Sequence, residues 1–278
     1  MTPLYQARKY PRKSHGRWFV PAFALSIVGS SIVGLSIFAV PAVAQQAIVS
    51  APLSADQVIE RMVEMNQARA KALESYSSVR RYHLECHCLS HKKADMVVRT
   101  DYQAPNKKTF TIVSESGSGT VRERVFKKLL EAEQESMRDE NQQWSAITPE
   151  NYTFQLSDYE KTDTDEFYVL DAQPRNKNKF LFRGHIWVNA KDFAITRVEG
   201  EPAVNPSWWT VKTDFKRRYQ KIGDFWLPES NESETKVRVL GTAVLSIEYR
   251  DYQIMQAGGA TAALPHNEAL AATIAEEF

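Results

Sequence analysis

The 278 residues are 43% hydrophobic, 11% aromatic and 25% charged, close to globular averages, which excludes a chain disordered throughout. The formal charge of +1 depends on five basic residues, Arg8, Lys9, Arg12, Lys13 and Arg17; without that leader the remainder is net acidic, which excludes nucleic acid as a general partner.

The basic cluster runs into an apolar stretch from Trp18 to Val40, and Ala42, Val43 and Ala44 supply the small-residue pattern of a signal-peptidase site. Residues 1–44 therefore read as a targeting segment. Cleavage after Ala44 would release the rest into the periplasm or cell envelope. The apolar stretch is also long enough to remain as an inner-membrane anchor, and both fates stay open. Neither cysteine follows the stretch, so neither is placed to accept a lipid there. Residues 45–53 read as a linker, 54–254 as one folded domain, and 255–278 as a tail that forms a weak last helix or stays loose.

Ser54 and Gln57 have the spacing of a capping box, and Val58, Met62, Met65, Ala68 and Ala72 then recur at helical intervals, which predicts a helix over 55–75. From Ser78 the period changes to two, with strands expected at 79–90, 93–103 and 107–115. The "GSG" of 117–119 reads as a flexible lead-in, after which Thr120 and Glu123 predict a second capping box and one charged helix to about 143. Strands follow at 153–161, 165–174, 179–189, 194–202, 208–221, 225–238 and 242–254, separated by turn residues. No long helix intervenes, which rules out a parallel sheet. The fold class expected is α+β, an antiparallel sheet of about 10–11 strands curled around two or three helices.

Both cysteines and three of the six histidines fall in "RYHLECHCLSH", residues 81–91. On a strand, Tyr82, Leu84, Cys86 and Cys88 share one face, while His83, Glu85, His87 and His91 share the other. Thiols and imidazoles diverge, whereas a zinc shell needs them converging at about 2.0 to 2.3 Å. The expected reading is core cysteines beside exposed histidines. A disulfide between the cysteines is a second reading, and a metal or redox module on Cys86, His87 and Cys88 a third. The sequence has no His-Glu-x-x-His, no Gly-x-Ser-x-Gly and no phosphate-binding glycine loop, and the acids Asp163, Asp165 and Glu166 crowd a turn. The chain is thus expected to be neither an enzyme nor the carrier of a cofactor.

Aromatic residues crowd the later strands: Phe180, Phe182, Trp187, Trp208, Trp209, Phe215, Tyr219, Phe225 and Trp226. "FLFRGHIWV" is apolar on both faces, so each side of that strand needs a cover. The rings either fill a core or line a concave pocket, partly open to a lipid chain, with the helices as its lid.

Two stretches, "KFLFRGHIWVNAKDFAITRVEGEPAVNPSWW" and "DFKRRYQKIGDFWLPESNESETKVRVLGTAVLSIEYRDY", resemble the bacterial outer-membrane lipoprotein-sorting superfamily, the LolA/LolB/RseB-like proteins. The likeness rests on Trp187-Val188-Asn189, "ITRVEG" and the run from Tyr219 to Pro228, and it extends over roughly residues 54–254. It implies an incomplete antiparallel β-barrel, LolA-like, with a hydrophobic cavity for acyl chains. The residues expected to line that cavity are Met62, Met65, Phe110, Phe154, Phe167, Phe180, Phe182, Trp187, Phe215, Tyr219 and Trp226. The partners implied are lipid or lipoprotein acyl chains and an envelope-membrane protein, the role that of carrier or sensor. Arg183 and Arg197 are both candidates, by neighbourhood alone, for the carriers' lid-contacting arginine, and neither is assigned that part.

Overall fold

The computed structural model describes residues 53–88, 91–205, 210–238, 241–256 and 261–263. The targeting segment, nearly all of the linker, Trp208, Trp209 and the tail beyond 263 lie outside the described residues.

Helix α1 (Ala55–Ala72) begins at the predicted capping box. Gln57 N–H donates to Ser54 Oγ at 3.3 Å, and Ser54 N–H donates to Gln57 Oε1 at 3.0 Å. The helix buries Val58, Ile59 and Met62 and ends three residues before the predicted limit. Leu73 is already extended and pairs with Gln256, so strand geometry takes over there. Three strands follow: β1 (Leu73–Cys88), β2 (Lys92–Gln103) and β3 (Lys107–Gly117).

The helical region next in the chain differs from the single capped helix predicted. It comprises α2 (Gly119–Val121), a π-helical turn (Arg122–Phe126), α3 (Lys127–Ser136) and a separate α4 (Asp139–Ser145). The second capping box does not form. Gly117 turns the chain at a φ of 75° and Ser118 N–H donates to Lys93 O, so Ser118 is the cap and Thr120 already lies inside the helix. At the other end Ser136 Oγ donates to Glu133 O, competing with the helical ladder, and Arg138 is extended. Among the described residues no helix is long and apolar enough to cross a membrane.

The remaining strands are β4 (Tyr152–Lys161), β5 (Glu166–Pro174), β6 (Phe182–Asn189), β7 (Ile195–Pro202), β8 (Thr210–Ile222), β9 (Phe225–Val237), β10 (Gly241–Gln256) and β11 (Thr261–Ala263). They join the first three in one 11-stranded antiparallel sheet of order β3-β2-β1-β10-β9-β8-β7-β6-β5-β4, with β11 on β10. The end strands β3 and β4 do not pair with each other, so the architecture is an incomplete antiparallel barrel. Because β3 and β4 occupy opposite edges, the helical segment between them has to cross the sheet from one side to the other.

Strand register shows what that segment crosses. Residues directly opposite in an antiparallel pair point to the same face. One continuous row runs Tyr82, Ile247, Asn231, Arg217, Val198, Ile186 and Leu170, from β1 through β10, β9, β8, β7 and β6 to β5. The row is apolar at both ends and polar in the middle. Helix α1 covers one end, where Val58, Ile59 and Met62 pack with Tyr152, Leu170, Ile186 and Val198. The π-turn and α3 cover the other, where Phe126 and Leu130 pack with Tyr82, Met96, Val98 and Ile247. Each fully buried aliphatic side chain contributes about 1.5 to 3 kcal/mol, so both helices are held by burial.

Sheet curvature has a local source at the β6–β7 pair. Gly184 and Gly200 stand opposite each other, and Phe182 and Phe215 meet edge to face beside them with centroids 5.7 Å apart. A Cβ at Gly184 would collide with the Glu199 carbonyl oxygen, and its φ of 150° further disfavours a side chain. Gly184→Val is expected to cost about 3 kcal/mol in chemical denaturation, the scale of backbone strain plus overpacking. Gly119→Ala, whose added carbon meets nothing closer than 3.7 Å, serves as the harmless control. Equal stability of the two variants would contradict the close-approach explanation.

Candidate functional site

Three charged residues sit where the periodicity of their elements calls for apolar ones. Arg80 lies two residues before Tyr82 on the inward face of β1, Lys108 two before Phe110 on β3, and Glu133 three after Leu130 on α3. They satisfy one another. Glu133 accepts a forked pair of bonds from Arg80, Nη1 to Oε2 at 2.6 Å and Nη2 to Oε1 at 3.1 Å, and a third from Lys108 Nζ to Oε1 at 2.7 Å. Arg80 is 2% exposed and lies between two rings, its guanidinium carbon 5.3 Å from the Phe110 centroid and 4.9 Å from that of Tyr249.

Burial alone would push the Glu133 carboxyl up. The Lys108 charge and the bonded Arg80 outweigh it and bring the pKa down to about 2. Burial lowers Arg80 and Lys108, yet both end raised, Arg80 through its bonds to the Glu133 carboxylate and Lys108 through Tyr76 and then Glu133. Two further ion pairs tether the crossing segment: Arg122 to Glu115 of β3, and Lys179, from the β5–β6 loop, to Glu135 at 2.8 Å.

Beneath α3, over the polar middle of the row, lies a cavity of about 410 Å³. Leu129, Ala132, Glu133 and Ser136 border it from the helix, and Phe180 from the β5–β6 loop. The sheet supplies Arg80, Tyr82, Lys108, Arg217, Arg218, Asn231, Ile247 and Tyr249 among others. Lys108 on β3 and Arg217 on β8 face one space although β2, β1, β10 and β9 separate them, which only a strongly curved sheet allows. Leu129 and Ala132 give the helix side an apolar part beside Glu133 and Ser136, and the strand side is strongly cationic. Such a space can accept an amphiphile, and its volume falls within the range of small-molecule sites.

Residues 93–250 match the model of a family of unknown function, DUF5686. The chain belongs to this family. No curated protein matches the DUF5686 chain. Among solved structures it is similar to a LolA superfamily protein from Nitrosomonas europaea, at 14% identity, TM-score 0.34, over 72% of this chain and 93% of that one. It is also similar to a putative outer membrane lipoprotein-sorting protein domain from Vibrio parahaemolyticus, at 11% identity and TM-score 0.39, over 79% and 98%. A DUF1329 family protein from Desulfovibrio piger gives 11% and 0.37, over 71% and 91%. Likeness at this level says nothing about what the DUF5686 chain binds.

Of the eleven residues that the resemblance places around a cavity, Phe180 and Tyr219 border the one beneath α3. Met62 and Phe182 are inside the α1 cluster, with Phe154, Phe215 and Tyr219 packed against it. Phe110 lies against the α3 cluster and on Arg80. Met65 is exposed. Phe167 and Trp187 belong to the opposite face of the sheet, one residue out of phase with Tyr168, Ile186 and Val188; the Arg197 guanidinium covers Trp187, 3.5 Å from its ring centroid. Trp226 Nε1 donates to Asp192 Oδ2 at 2.9 Å, toward the C-terminal end of α1.

The histidines of the 81–91 stretch lie apart from this cavity. His83 pairs with Asp95 across β1–β2 at 2.8 Å and Glu85 with Lys93 at 3.0 Å, ordinary cross-strand partners. His87 is exposed and stacks edge-on with His91, with centroids 6.5 Å apart. Cys86 packs against the α3 cluster and is disulfide-bonded, so its sulfur is no thiolate ligand. Among the described residues no three His, Cys, Asp or Glu side chains gather as a metal shell.

Glu133→Gln leaves Arg80 buried against a neutral partner and is expected to cost about 3 kcal/mol at pH 7. Because the folded carboxyl is depressed, its stabilisation is complete above the unfolded value of about 4.3 and is lost as pH falls toward 2. In urea titrations the gap between wild type and variant should therefore narrow from pH 5 to pH 2. A gap independent of pH would contradict the ion triad.

Proposed function

We propose that this protein is a non-enzymatic binding protein of the cell envelope that takes the acyl chain of a lipid or lipoprotein into the cavity beneath α3, as a carrier or a sensor. The observation that carries this reading is the unfilled space between α3, which presents Leu129 and Ala132 to it, and a curved sheet, at the seam between two solid clusters. The amino-terminal targeting pattern supports the envelope location. A membrane partner that delivers or receives the chain fits the same role.

Energetics bound the mechanism. Each buried methylene contributes about 0.8 kcal/mol, so a 12-carbon chain wholly covered would gain on the order of 9 kcal/mol, and its release would be slow. A carrier therefore leaves part of the chain in water or lets its cover move. Helix α3 suits the second course: only Leu130 of α3 itself is buried, Val121 and Phe126 anchor the segment ahead of it, and ion pairs add to the hold. The metal reading of Cys86, His87 and Cys88 has no observation in its favour.

Native mass spectrometry of the full-length chain, purified gently from membranes, is expected to show lipid adducts, and the protein should take up a fluorescent fatty acid. Ala132→Trp, which puts an indole into the cavity from the helix side, should reduce that uptake at least tenfold while the circular dichroism spectrum stays unchanged. A protein free of adducts that takes up no fatty acid would refute the proposal.

A further inference from the structure

The strand side of the cavity carries more positive charge than its carboxylate can balance. Arg80, Lys108, Arg217 and Arg218 border it, against Glu133 alone. Both oxygens of Glu133 are taken by Arg80 and Lys108. Among the described residues, neither Arg217 nor Arg218 forms an ion pair. Both side chains are exposed, and both border the cavity. Arg217 stands opposite Asn231 and Val198 in the inward row, between the two clusters. Its charge is felt on both sides, by Tyr152 in the α1 cluster and by Tyr249 beside Arg80.

Two consecutive strand residues ordinarily face opposite ways. Arg218 nevertheless borders the same space as Arg217; it pairs with Ser230, and the extra residue that β9 carries, Glu229, lies immediately beyond that pair, before Tyr219 meets Pro228. Two buried polar atoms at the rim also lack partners: Arg80 Nε, on a side chain 2% exposed, and Asn231 Oδ1. An Asn amide can be turned over without changing shape, which would present Asn231 Nδ2–H₂ to a guest oxygen. An N–H left buried without an acceptor costs free energy that a guest acceptor recovers.

From this arrangement we infer that the guest is an anionic amphiphile, whose phosphate or carboxylate is held by Arg217 and Arg218 while its chain lies against Leu129, Ala132 and Ile247. The inference rests on the acyl-binding reading above and adds the chemistry of the head. Guanidinium groups suit it because their planar forks match the oxygens of either anion.

The test uses the full-length chain and three probes below their micellar concentrations: dodecyl phosphate, dodecanol and inorganic phosphate, each titrated by calorimetry. Dodecyl phosphate is expected to bind at least tenfold more tightly than dodecanol. In Arg217→Gln/Arg218→Gln, the ratio of these two affinities should fall close to one, with the denaturation midpoint unchanged because both side chains are exposed. Equal affinities in the wild type would overturn the anionic head and leave the acyl reading standing. Inorganic phosphate binding as tightly as dodecyl phosphate would uphold the arginine site and overturn the acyl reading. Binding of none of the three would overturn both.

Discussion

A buried arginine is the constraint on which this architecture turns. Arg80 enters the apolar face of β1 with almost no solvent contact, and an unpaired charge there would cost several kcal/mol. Glu133 makes the position tenable, and Glu133 belongs to α3. The requirement that the charge be answered therefore fixes where the helix lies across the sheet, and Lys108 on β3 draws the edge of the sheet into the same arrangement. Burial of Phe126 and Leu130 supplies most of the adhesion, while the ion triad supplies the register. Replacing such a triad with apolar side chains often leaves stability unchanged or improves it, so its presence is better explained by position than by stability.

The cavity follows from that placement. An antiparallel sheet whose inward row is apolar throughout would close onto its helices as a solid core. Here the row changes from Tyr82 and Ile247 to Asn231 and Arg217 and back to Val198 and Ile186, and the two helices each cover one apolar end. What remains between them is a space partly open to solvent, lined by charged side chains together with Leu129, Phe180 and Ile247. A guest with a greasy tail and a charged head satisfies both walls at once.

Much of the fold is legible in the sequence, because alternation and capping are local. The Ser54 cap, the hairpin turns and the antiparallel succession from β4 to β10 all follow from residues close in the chain. The capping box expected at Thr120 does not form because the turn that matters belongs to Gly117 and Ser118, whose conformation depends on the β2 backbone at Lys93, a partner distant in sequence. The site is less legible. The aromatic residues were conspicuous, yet Phe167 and Trp187 occupy the opposite face from the helices, and Met62 and Phe182 are packed solid. Arg80, Lys108, Glu133 and Arg217 were present as charges at inward positions of Ser78-Arg80-Tyr82, Lys108-Phe110, Phe126-Leu130-Glu133 and Phe215-Arg217-Tyr219. Their meaning appears only when strand order and the crossing helix bring them together.

The central claim is one of place, that an acyl chain lies between α3 and the middle of the sheet. Photocrosslinking with a fatty acid bearing a diazirine near its methyl end, followed by peptide mapping of the full-length chain, tests it most directly. The account predicts adducts on Leu129, Ala132 or Ile247. Adducts confined to the groove between α1 and β4, at Val63 or Phe154, or to the pocket at Trp226, would contradict it.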